Sequence, residues 1–324
     1  MKSSTLLELA FQRTTEVLLD DRTKDDIREL ISYFDKFGLE TKEMWLELHY
    51  GAQTDFIMEI TDYVTLSKLC AYMVEITDGE SLMAWDQVGM TIERIMENPE
   101  KLWRYIHVCS LEFDKVDIED QSFCPSIFIE IDVEKAIEDG VSIKDILFDY
   151  EDLVLSKVYG LKDHFRNDKK LQEIMDLGIN PWNLGLMFSR PSLLRMVTVP
   201  MDNEKFKQVK DIYSFSNRIN RHMNEDDPTV EYMLDYDYDG HNYSNKGANI
   251  YHKNSDDRKN IVHKYAEQGN ITSKEENEIV QWEKRKVIGT DDRSLIVWQI
   301  AHLKYKEDKE EDALKMYLRI MELR

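Results

Sequence analysis

The chain has few of the residues, and none of the segments, that mark several common classes of protein. Three cysteines occur in 324 residues, Cys70, Cys109 and Cys124, and no two stand in a CxxC spacing. This gives neither a disulfide framework nor a zinc site, and it predicts buried thiols. The sequence has no run of about 18 apolar residues and no signal-peptide pattern at its N-terminus. We therefore expect a cytoplasmic protein without a membrane span.

Positive charge is also scarce. Lys and Arg number 42 against 64 Asp and Glu, a formal net charge of −22. Nucleic acids and anionic membranes are bound through cations, so this balance predicts neither as a partner. The charge is typical of a strongly hydrated, soluble surface, and the alternative interpretation is a preference for a small-molecule or peptide substrate that is itself cationic. The sequence contains no GxGxxG after a strand, no GxxxxGK[ST] and no GxSxG, so nucleotide-binding and hydrolase motifs are missing. Nothing in it indicates an oligomeric state.

What the sequence does contain is a repeated pair of alternating strands. The five pairs are Trp45–Tyr50 with Asp55–Thr61, Tyr105–Asp114 with Ser126–Asp132, Leu184–Phe188 with Leu193–Val199, Val230–Tyr238 with Lys246–His252, and Leu295–Tyr305 with Ala313–Met321. Helical spacing fills the intervals, at residues 4–37 (two helices), 65–76, 83–97, 141–159, 164–177, 203–223, 255–267 and 273–286. We expect Gly38 to end the second helix, and Ser255 and Thr272 to cap two later ones.

A single hairpin cannot bury its own apolar face, so five of them predict one closed assembly. The predicted fold is α/β, with a ten-stranded antiparallel β-barrel inside a ring of helices. Residues 1–40 would form N-terminal helices packed on the barrel, and residues 41–324 a single repeated ββαα barrel domain. Aliphatic side chains such as Ile127 and Ile129 would face the helices, and polar and aromatic ones the interior. The alternative is an open sheet with two edges to protect.

The repeated strand-strand-helix-helix order resembles the ABBA-type prenyltransferases, whose ten-stranded antiparallel barrel encloses the active site. In that family, inward Lys and Arg bind the prenyl diphosphate, and Tyr residues shield the carbocation that forms as diphosphate leaves. The resemblance implies an anion-binding set on the last three hairpins, made of Arg195 in LLRM, Lys304 in HLKY, and Lys315 and Arg319 in LKMYLR.

The same resemblance implies Tyr251 and Tyr317 as the shield of the cation. It also implies Glu47 or Glu112 as the catalytic carboxylate that orients the acceptor. The segments LGLMFSRPSLLRM and HLKYKEDKEEDALKMYL look, in addition, like those of an uncharacterised bacterial protein family, a similarity that implies no function.

The first two hairpins are acidic where the resemblance would imply basic residues. Glu59, Asp114 and Glu130 would repel a diphosphate unless they are paired with cations or bridged by Mg²⁺. With His49 and Glu112 they form an alternative cluster suited to magnesium, manganese or iron.

Three functions stay open at this point. The first is a prenyltransferase-like enzyme of natural-product or peptide modification, with a diphosphate donor and an aromatic or peptide acceptor. The second is a non-catalytic barrel that binds a peptide or small molecule as a biosynthetic accessory protein. The third is a metal-dependent enzyme that uses the acidic cluster.

Overall fold

The fold is known from a computed structural model. The structure describes residues 1–49, 54–114, 124–188, 193–210, 230–238, 243–267, 269–288, 294–306 and 313–323. Residues 49, 210, 236, 238, 243–246, 302–306, 313 and 314 are described by their backbone only. Within these ranges, no helix combines the length and the apolar character needed to cross a membrane.

The helices of the described residues occupy the intervals between the predicted hairpins. They are α1 (Ser3–Phe11), α2 (Asp21–Phe37), α3 (Tyr63–Ile76), α4 (Gly79–Met96), α5 (Val133–Glu138), α6 (Ile143–Tyr150), α7 (Ser156–Val158), α8 (His164–Asn167), α9 (Lys169–Asp176), α10 (Asn203–Lys210), α11 (Ser255–Glu267) and α12 (Ser273–Trp282). A 3₁₀ turn covers Trp103–Tyr105, and a π-helical turn at Glu151–Leu155 joins α6 to α7.

The strands form one antiparallel sheet. They are β1 (Glu43–His49), β2 (Asp55–Ile60), β3 (Ile106–Phe113), β4 (Pro125–Ile131), β5 (Pro181–Leu186), β6 (Leu194–Thr198), β7 (Val230–Tyr238), β8 (Tyr243–His252), β9 (Lys284–Ile288), β10 (Ser294–Lys306) and β11 (Ala313–Leu323). Their order is β11-β1-β2-β3-β4-β5-β6-β7-β8-β10-β9, and β11 also pairs with β10. Strand β10 thus contacts β11 along its length, β9 through residues 294–298 and β8 through residues 303–306.

All five predicted hairpins are present. The sequence predicted ten strands, whereas the described residues form eleven. Strand β9 lies where the sequence predicted the end of the last helix, because α12 stops at Trp282. The predicted turn at residues 189–192 and the part of the predicted helix 203–223 beyond Lys210 lie outside the described residues.

The two faces of the sheet differ as the alternation predicted. Ile127, Ile129 and Ile131 are 0%, 1% and 2% exposed, and they belong to the hydrophobic core that includes buried helix residues. The opposite face carries polar and aromatic side chains, and we call it the polar face. The helices therefore cover one side of the sheet, and the chemistry is confined to the other.

Helix ends follow local sequence signals, with one exception. Gly38 ends α2 in the left-handed region, with φ at 72°, as predicted. Thr272 caps α12 in a full capping box with Glu275. The prediction for Ser255 was wrong, because the Asn254 side chain accepts the Asp256 N–H at 3.0 Å while the Ser255 hydroxyl donates to Glu283 at 2.8 Å.

The N-terminal helices share the core of the sheet. Leu6 and Phe34 are fully buried in the same hydrophobic cluster as Leu46 of β1. The indole N–H of Trp298 on β10 donates to the Leu9 carbonyl at 3.2 Å. The division at residue 40 stays a prediction.

The three cysteines are free thiols. Cys70 and Cys109 are buried, as predicted, and Cys124 is half-buried. Burial raises the pKa of Cys109 to about 12, so this thiol stays protonated and unreactive.

Candidate active site

A cavity lies against the polar face of the sheet. Its volume is about 120 Å³, somewhat less than the ~150 Å³ of an engineered cavity that admits benzene. Nine strands, β1 to β8 and β11, contribute to its wall. The lining residues are Trp45, Ile57, Glu59, Ser110, Glu112, Phe128, Glu130, Trp182, Asn183, Arg195, Val197, Met233, Asp235, Asn249, Tyr251 and Tyr317.

The wall combines carboxylates with aromatic rings. Among the described residues, its acidic members are Glu59, Glu112, Glu130 and Asp235, its aromatic members are Trp45, Phe128, Trp182, Tyr251 and Tyr317, and its basic member is Arg195. Six residues predicted from sequence therefore meet at this cavity, namely Glu59, Glu112, Glu130, Arg195, Tyr251 and Tyr317. Their roles stay predictions. Glu47 and Arg319 lie beside the cavity, in contact with Tyr317 and Trp45 of its wall, and Lys315 contacts Glu47.

Lys315 lies inside a cluster of buried carboxylates. Its ammonium contacts the Glu47 carboxylate directly and lies 3.7 Å from an Asp55 oxygen. Glu47, Asp55 and Glu112 have carboxylate oxygens within 4.8 Å of one another, and all three are buried. Strands β11, β1, β2 and β3 bring these residues together. Lys315 therefore acts first as an internal counter-ion.

Arg195 is held by a carboxylate on the neighbouring strand. Its Nε donates to Asp237 Oδ1 at 2.6 Å and its Nη2 to Oδ2 at 3.0 Å. The two residues are cross-strand partners of β6 and β7, and both are buried. This bidentate geometry fixes the guanidinium plane at the cavity wall.

Arg319 lies over the Trp45 ring, with its guanidinium carbon 5.3 Å from the ring centroid. Its Nη1 lies 3.3 Å from Glu43 Oε1, and its Nη2 donates to Gln299 at 2.7 Å. Its Nε has no hydrogen-bond partner among the described residues. Its side chain is also 25% exposed, against 5% for Lys315. Arg319 is thus better placed than Lys315 to receive an anion.

Glu59 and Glu130 face the cavity with raised pKa values. Burial raises the pKa of Glu59 to about 8, with further contributions from the carboxylates of Glu43 and Glu130, and Arg319 opposes the rise. Burial likewise raises the pKa of Glu130 to about 7, against a hydrogen bond from Trp182. Near neutral pH both groups therefore exchange protons readily, as a general acid or base must.

Two tyrosines present their rings to the cavity. Burial raises the pKa of Tyr317 well above its usual value, and the carboxylates of Glu47 and Glu112 add to the effect. Burial also raises the pKa of Tyr251, and the charges that act on it are Arg319, Asp235, Glu130 and Glu43. Both phenols stay neutral, so they offer π faces and hydroxyl groups rather than phenolate charge.

Three further predicted residues are placed neither in the wall nor beside it. Lys304 pairs through its backbone with Lys315 and Asn249, and His49 pairs with Lys315, while both side chains lie outside the described residues. Asp114 follows β3 near Cys124 and does not line the cavity. The structure therefore does not bring Asp114 together with Glu59 and Glu130.

The best acidic cluster for a metal is a different one. Among the described residues, Glu47, Asp55 and Glu112 are the set whose ligand atoms converge. Three carboxylates would suit Mg²⁺ by their chemistry. However, the Lys315 ammonium already contacts two of them. The donor set is therefore that of an internal ion cluster, and it does not fit a resident magnesium ion.

Sequence reasoning missed several residues of the wall. Trp45, Phe128 and Asp235 had an available signal, since each alternates with apolar neighbours on a predicted strand. Trp182 was missed because β5 begins at Pro181, three residues before the predicted start at Leu184. Asn249 carries no signal that separates it from a turn residue.

Phe128 occupies its place in the wall because its cross-strand partner is Gly185. A Cβ atom at position 185 would lie 2.2 Å from the Phe128 ring. The glycine is therefore required by the close approach of the ring, and β4 and β5 together set this side of the cavity.

Compared by sequence, the chain matches no protein-family profile and no curated protein. Compared by structure, it resembles aromatic prenyltransferases over 98% of its length. The 6-dimethylallyltryptophan synthase from Micromonospora olivasterospora, in complex with DMASPP and Trp, gives a TM-score of 0.52 at 11% identity, over 96% of that chain.

Two further solved structures give the same result. The prenyltransferase PriB, in a ternary complex with L-tryptophan and dimethylallyl thiolodiphosphate, gives a TM-score of 0.52 at 10% identity, over 96% of its chain. The prenyltransferase NotF gives 0.55 at 8% identity, over 91% of its chain. The predicted resemblance to the ABBA-type fold is therefore confirmed. At these identities the likeness is one of fold.

Proposed function

We propose that the protein is a prenyltransferase-like enzyme that moves an allylic group from a diphosphate donor to an aromatic acceptor, free or on a peptide. The observation that carries this proposal is the cavity on the polar face, whose wall comes from nine strands and combines carboxylates with aromatic rings. The chain of pairings from β1 to β8, then β10, β11 and back to β1 supports a closed ten-stranded barrel around it, with β9 as an additional strand.

Groups in or beside the cavity can accept the proton and stabilise the cation that the proposed reaction produces. The C–O bond of the donor breaks, and its electron pair leaves with the diphosphate. The acceptor ring supplies two π electrons for the new C–C bond, and its displaced ring proton passes to a carboxylate. Glu112 is the proposed base, with Glu47 behind it. The rings of Tyr251 and Tyr317 would stabilise the allylic cation without reacting with it.

Binding of the diphosphate requires cations that are already paired. Arg195, Lys315 and Arg319 are each paired with at least one carboxylate, so a donor must compete for them. We propose Arg319 as the first contact, because its side chain is 25% exposed and its pairing with Glu43 is as long as 3.3 Å. Arg195 would follow by turning from Asp237, and Lys315 would remain the counter-ion of Glu47.

A second function is favoured by the same pairings. If every cation keeps its carboxylate, the barrel binds a ligand without a diphosphate, as a non-catalytic accessory protein would. One experiment separates the two functions. Titration with dimethylallyl thiolodiphosphate, with and without Mg²⁺, measures donor binding by calorimetry in the wild type, Arg319→Gln and the matched control Arg285→Gln on the exposed β9 strand.

Prenyl transfer predicts saturable binding that Arg319→Gln weakens about tenfold or more and that Arg285→Gln leaves unchanged, since one charge-assisted contact contributes about 1.5–3 kcal/mol. Mass spectrometry should then detect a product formed from dimethylallyl diphosphate and tryptophan or tryptophan-containing peptides. This product would support prenyl transfer directly. An absence of donor binding under both conditions would refute prenyl transfer and support the accessory-protein function.

A further inference from the structure

One side of the cavity wall is made of hydrogen-bond acceptors. Asn249 is 5% exposed and lines the cavity, and its Nδ2 donates to Asp235 at 2.8 Å. Its Oδ1 accepts no hydrogen bond from any described residue. A buried carbonyl oxygen of this kind calls for a donor, which no described residue supplies and which a ligand in the cavity would provide.

The carboxylates of the wall add charge to this requirement. Glu59 and Glu130 line the cavity, and Glu130 receives the Trp182 indole N–H. Arg319 is the cation that acts on Glu59, and it is shared with Glu43. Arg319 therefore serves Glu59 as well as its own partner Glu43, and no described cation acts on Glu130. Added positive charge inside the cavity would relieve the mutual repulsion of Glu59 and Glu130.

Aromatic rings complete the arrangement. Trp45 and Trp182 line the cavity together with the two glutamates. Indole faces attract cations, and carboxylates at the rim of such a cage supply counter-charge and accept N–H bonds. The wall therefore selects a ligand that is positively charged and rich in N–H donors.

We infer that this wall binds a cationic nitrogen group of the ligand, an ammonium or a guanidinium, with Glu59 and Glu130 as its counter-ions and Asn249 as a neutral acceptor. The statement that this ligand is the acceptor substrate rests on the proposed function. Recognition of the cation rests on the cavity alone. The charged and titratable groups that face the site are Glu43 on β1, Glu59 on β2, Glu112 on β3, Glu130 on β4, Arg195 on β6, Asp235 on β7, Tyr251 on β8, and Tyr317 and Arg319 on β11.

The test uses three small single-ring probes of nearly equal size. Benzylamine carries an ammonium, benzamidine carries the planar donor pair of a guanidinium, and benzyl alcohol is the neutral control. Calorimetry at pH 8 measures the affinity of each for the full-length wild type, Glu59→Gln, Glu130→Gln and Asn249→Ala. Glu100→Gln is the matched control, since the Glu100 side chain is 84% exposed.

At least one cation should bind about tenfold or more tightly than benzyl alcohol, and each of the two glutamine variants should remove about tenfold of that affinity. Asn249→Ala should weaken both cations, and Glu100→Gln neither. The ratio of benzamidine to benzylamine identifies the preferred group. Affinity for the cations should rise from pH 6 to pH 8 as Glu59 and Glu130 lose their protons, and Glu59→Gln should flatten this rise.

Equal binding of the alcohol and the cations, or full affinity in both glutamine variants, would overturn the inference. Thermal unfolding of each variant shows that it is folded before it is titrated. The outcome is separable from that of the proposed function. Cation binding without donor binding leaves this inference intact and refutes prenyl transfer, whereas transfer to neutral acceptors alone does the reverse.

Discussion

Replacement of Lys315 by methionine tests whether this residue is the counter-ion of Glu47 or binds the diphosphate donor. Lys315 is 4% exposed, and its ammonium is the cation that contacts Glu47 and Asp55. Two carboxylates within 4.8 Å of each other repel by about 3.5 kcal/mol or more at an effective dielectric constant of about 20. Removal of one partner from a buried ion pair typically costs about 3–5 kcal/mol. We expect Lys315→Met to destabilise the fold by that amount.

The loss can be measured by thermal and urea unfolding. An unfolding entropy of about 2.1 cal/mol/K per residue over 324 residues converts about 3–5 kcal/mol into a fall in Tm of roughly 4–7 °C. The double variant Lys315→Met/Glu47→Gln should recover about 1–3 kcal/mol of the loss, because the uncompensated charge is removed with its partner. Lys286→Met, on the exposed β9 strand, is the control.

The affinity for the diphosphate donor distinguishes the two roles of Lys315. If Lys315 is a counter-ion, the double variant should keep the donor affinity of the wild type, whereas Arg319→Gln should not. A change in stability below about 1 kcal/mol in Lys315→Met, together with a loss of donor affinity, would refute the reasoning. Lys315 would then be the anion ligand that the family resemblance implied.

Three further predictions concern the cavity wall and the helical layer. Gly185→Ala should cost about 1–3 kcal/mol and weaken benzylamine binding, because the new methyl group displaces Phe128; wild-type unfolding and affinity would contradict this. The free energy of unfolding should fall between about pH 5 and pH 8, by up to about 1.4 kcal/mol per proton and pH unit. The reason is that the folded pKa values of Glu59 and Glu130 are raised to about 8 and about 7 from an ordinary 4.5. Urea titrations should show a shallower dependence of this free energy on pH in Glu59→Gln. Glu151→Ala should cost about 3 kcal/mol in the same assay, because this fully buried carboxylate accepts from Phe165 N at 2.9 Å and pairs with Arg166 at 3.0 Å.

The pH prediction has a definite sign. Above the unfolded pKa the unfolded chain has lost the two protons, whereas the folded protein keeps them until the pH approaches the raised values. The folded state therefore binds more protons in this window, and its stability decreases as pH rises. Stability that increased from pH 5 to pH 8, after correction by the Glu59→Gln variant, would show that these carboxyls are stabilised as anions.

The fold was largely predictable because alternation is a local property. Ile127, Ile129 and Ile131 could be assigned to the buried face from the period alone, and the structure agrees. Strand β9 was not predictable in this way. Its residues Lys284–Ile288 are almost entirely exposed and pair only with β10 among the described strands. No alternation arises where neither face is buried.

The site was predictable as a list of residues and not as a set of contacts. The same alternation places Arg195 and Asp237 on the polar face, yet only the register of β6 with β7 makes them partners. Lys315 and Glu47 likewise come from opposite ends of the sequence. The family resemblance alone predicted that Arg195 and Lys315 bind the diphosphate of the donor. Cross-strand register makes each a neighbour of a carboxylate.

The pairing of β11 with both β1 and β10 has a consequence for how the protein is made. The ribosome synthesises Glu43 long before Met321, its partner across β1 and β11. At about 5–20 residues per second, on the order of tens of seconds separate the two. Until β11 arrives, β1 and most of β10 present unpaired backbone to other chains, and the non-local contacts that complete the sheet form last. Expression conditions that slow release of the nascent chain, or that supply chaperones, should therefore govern the yield of this protein more than its final stability does.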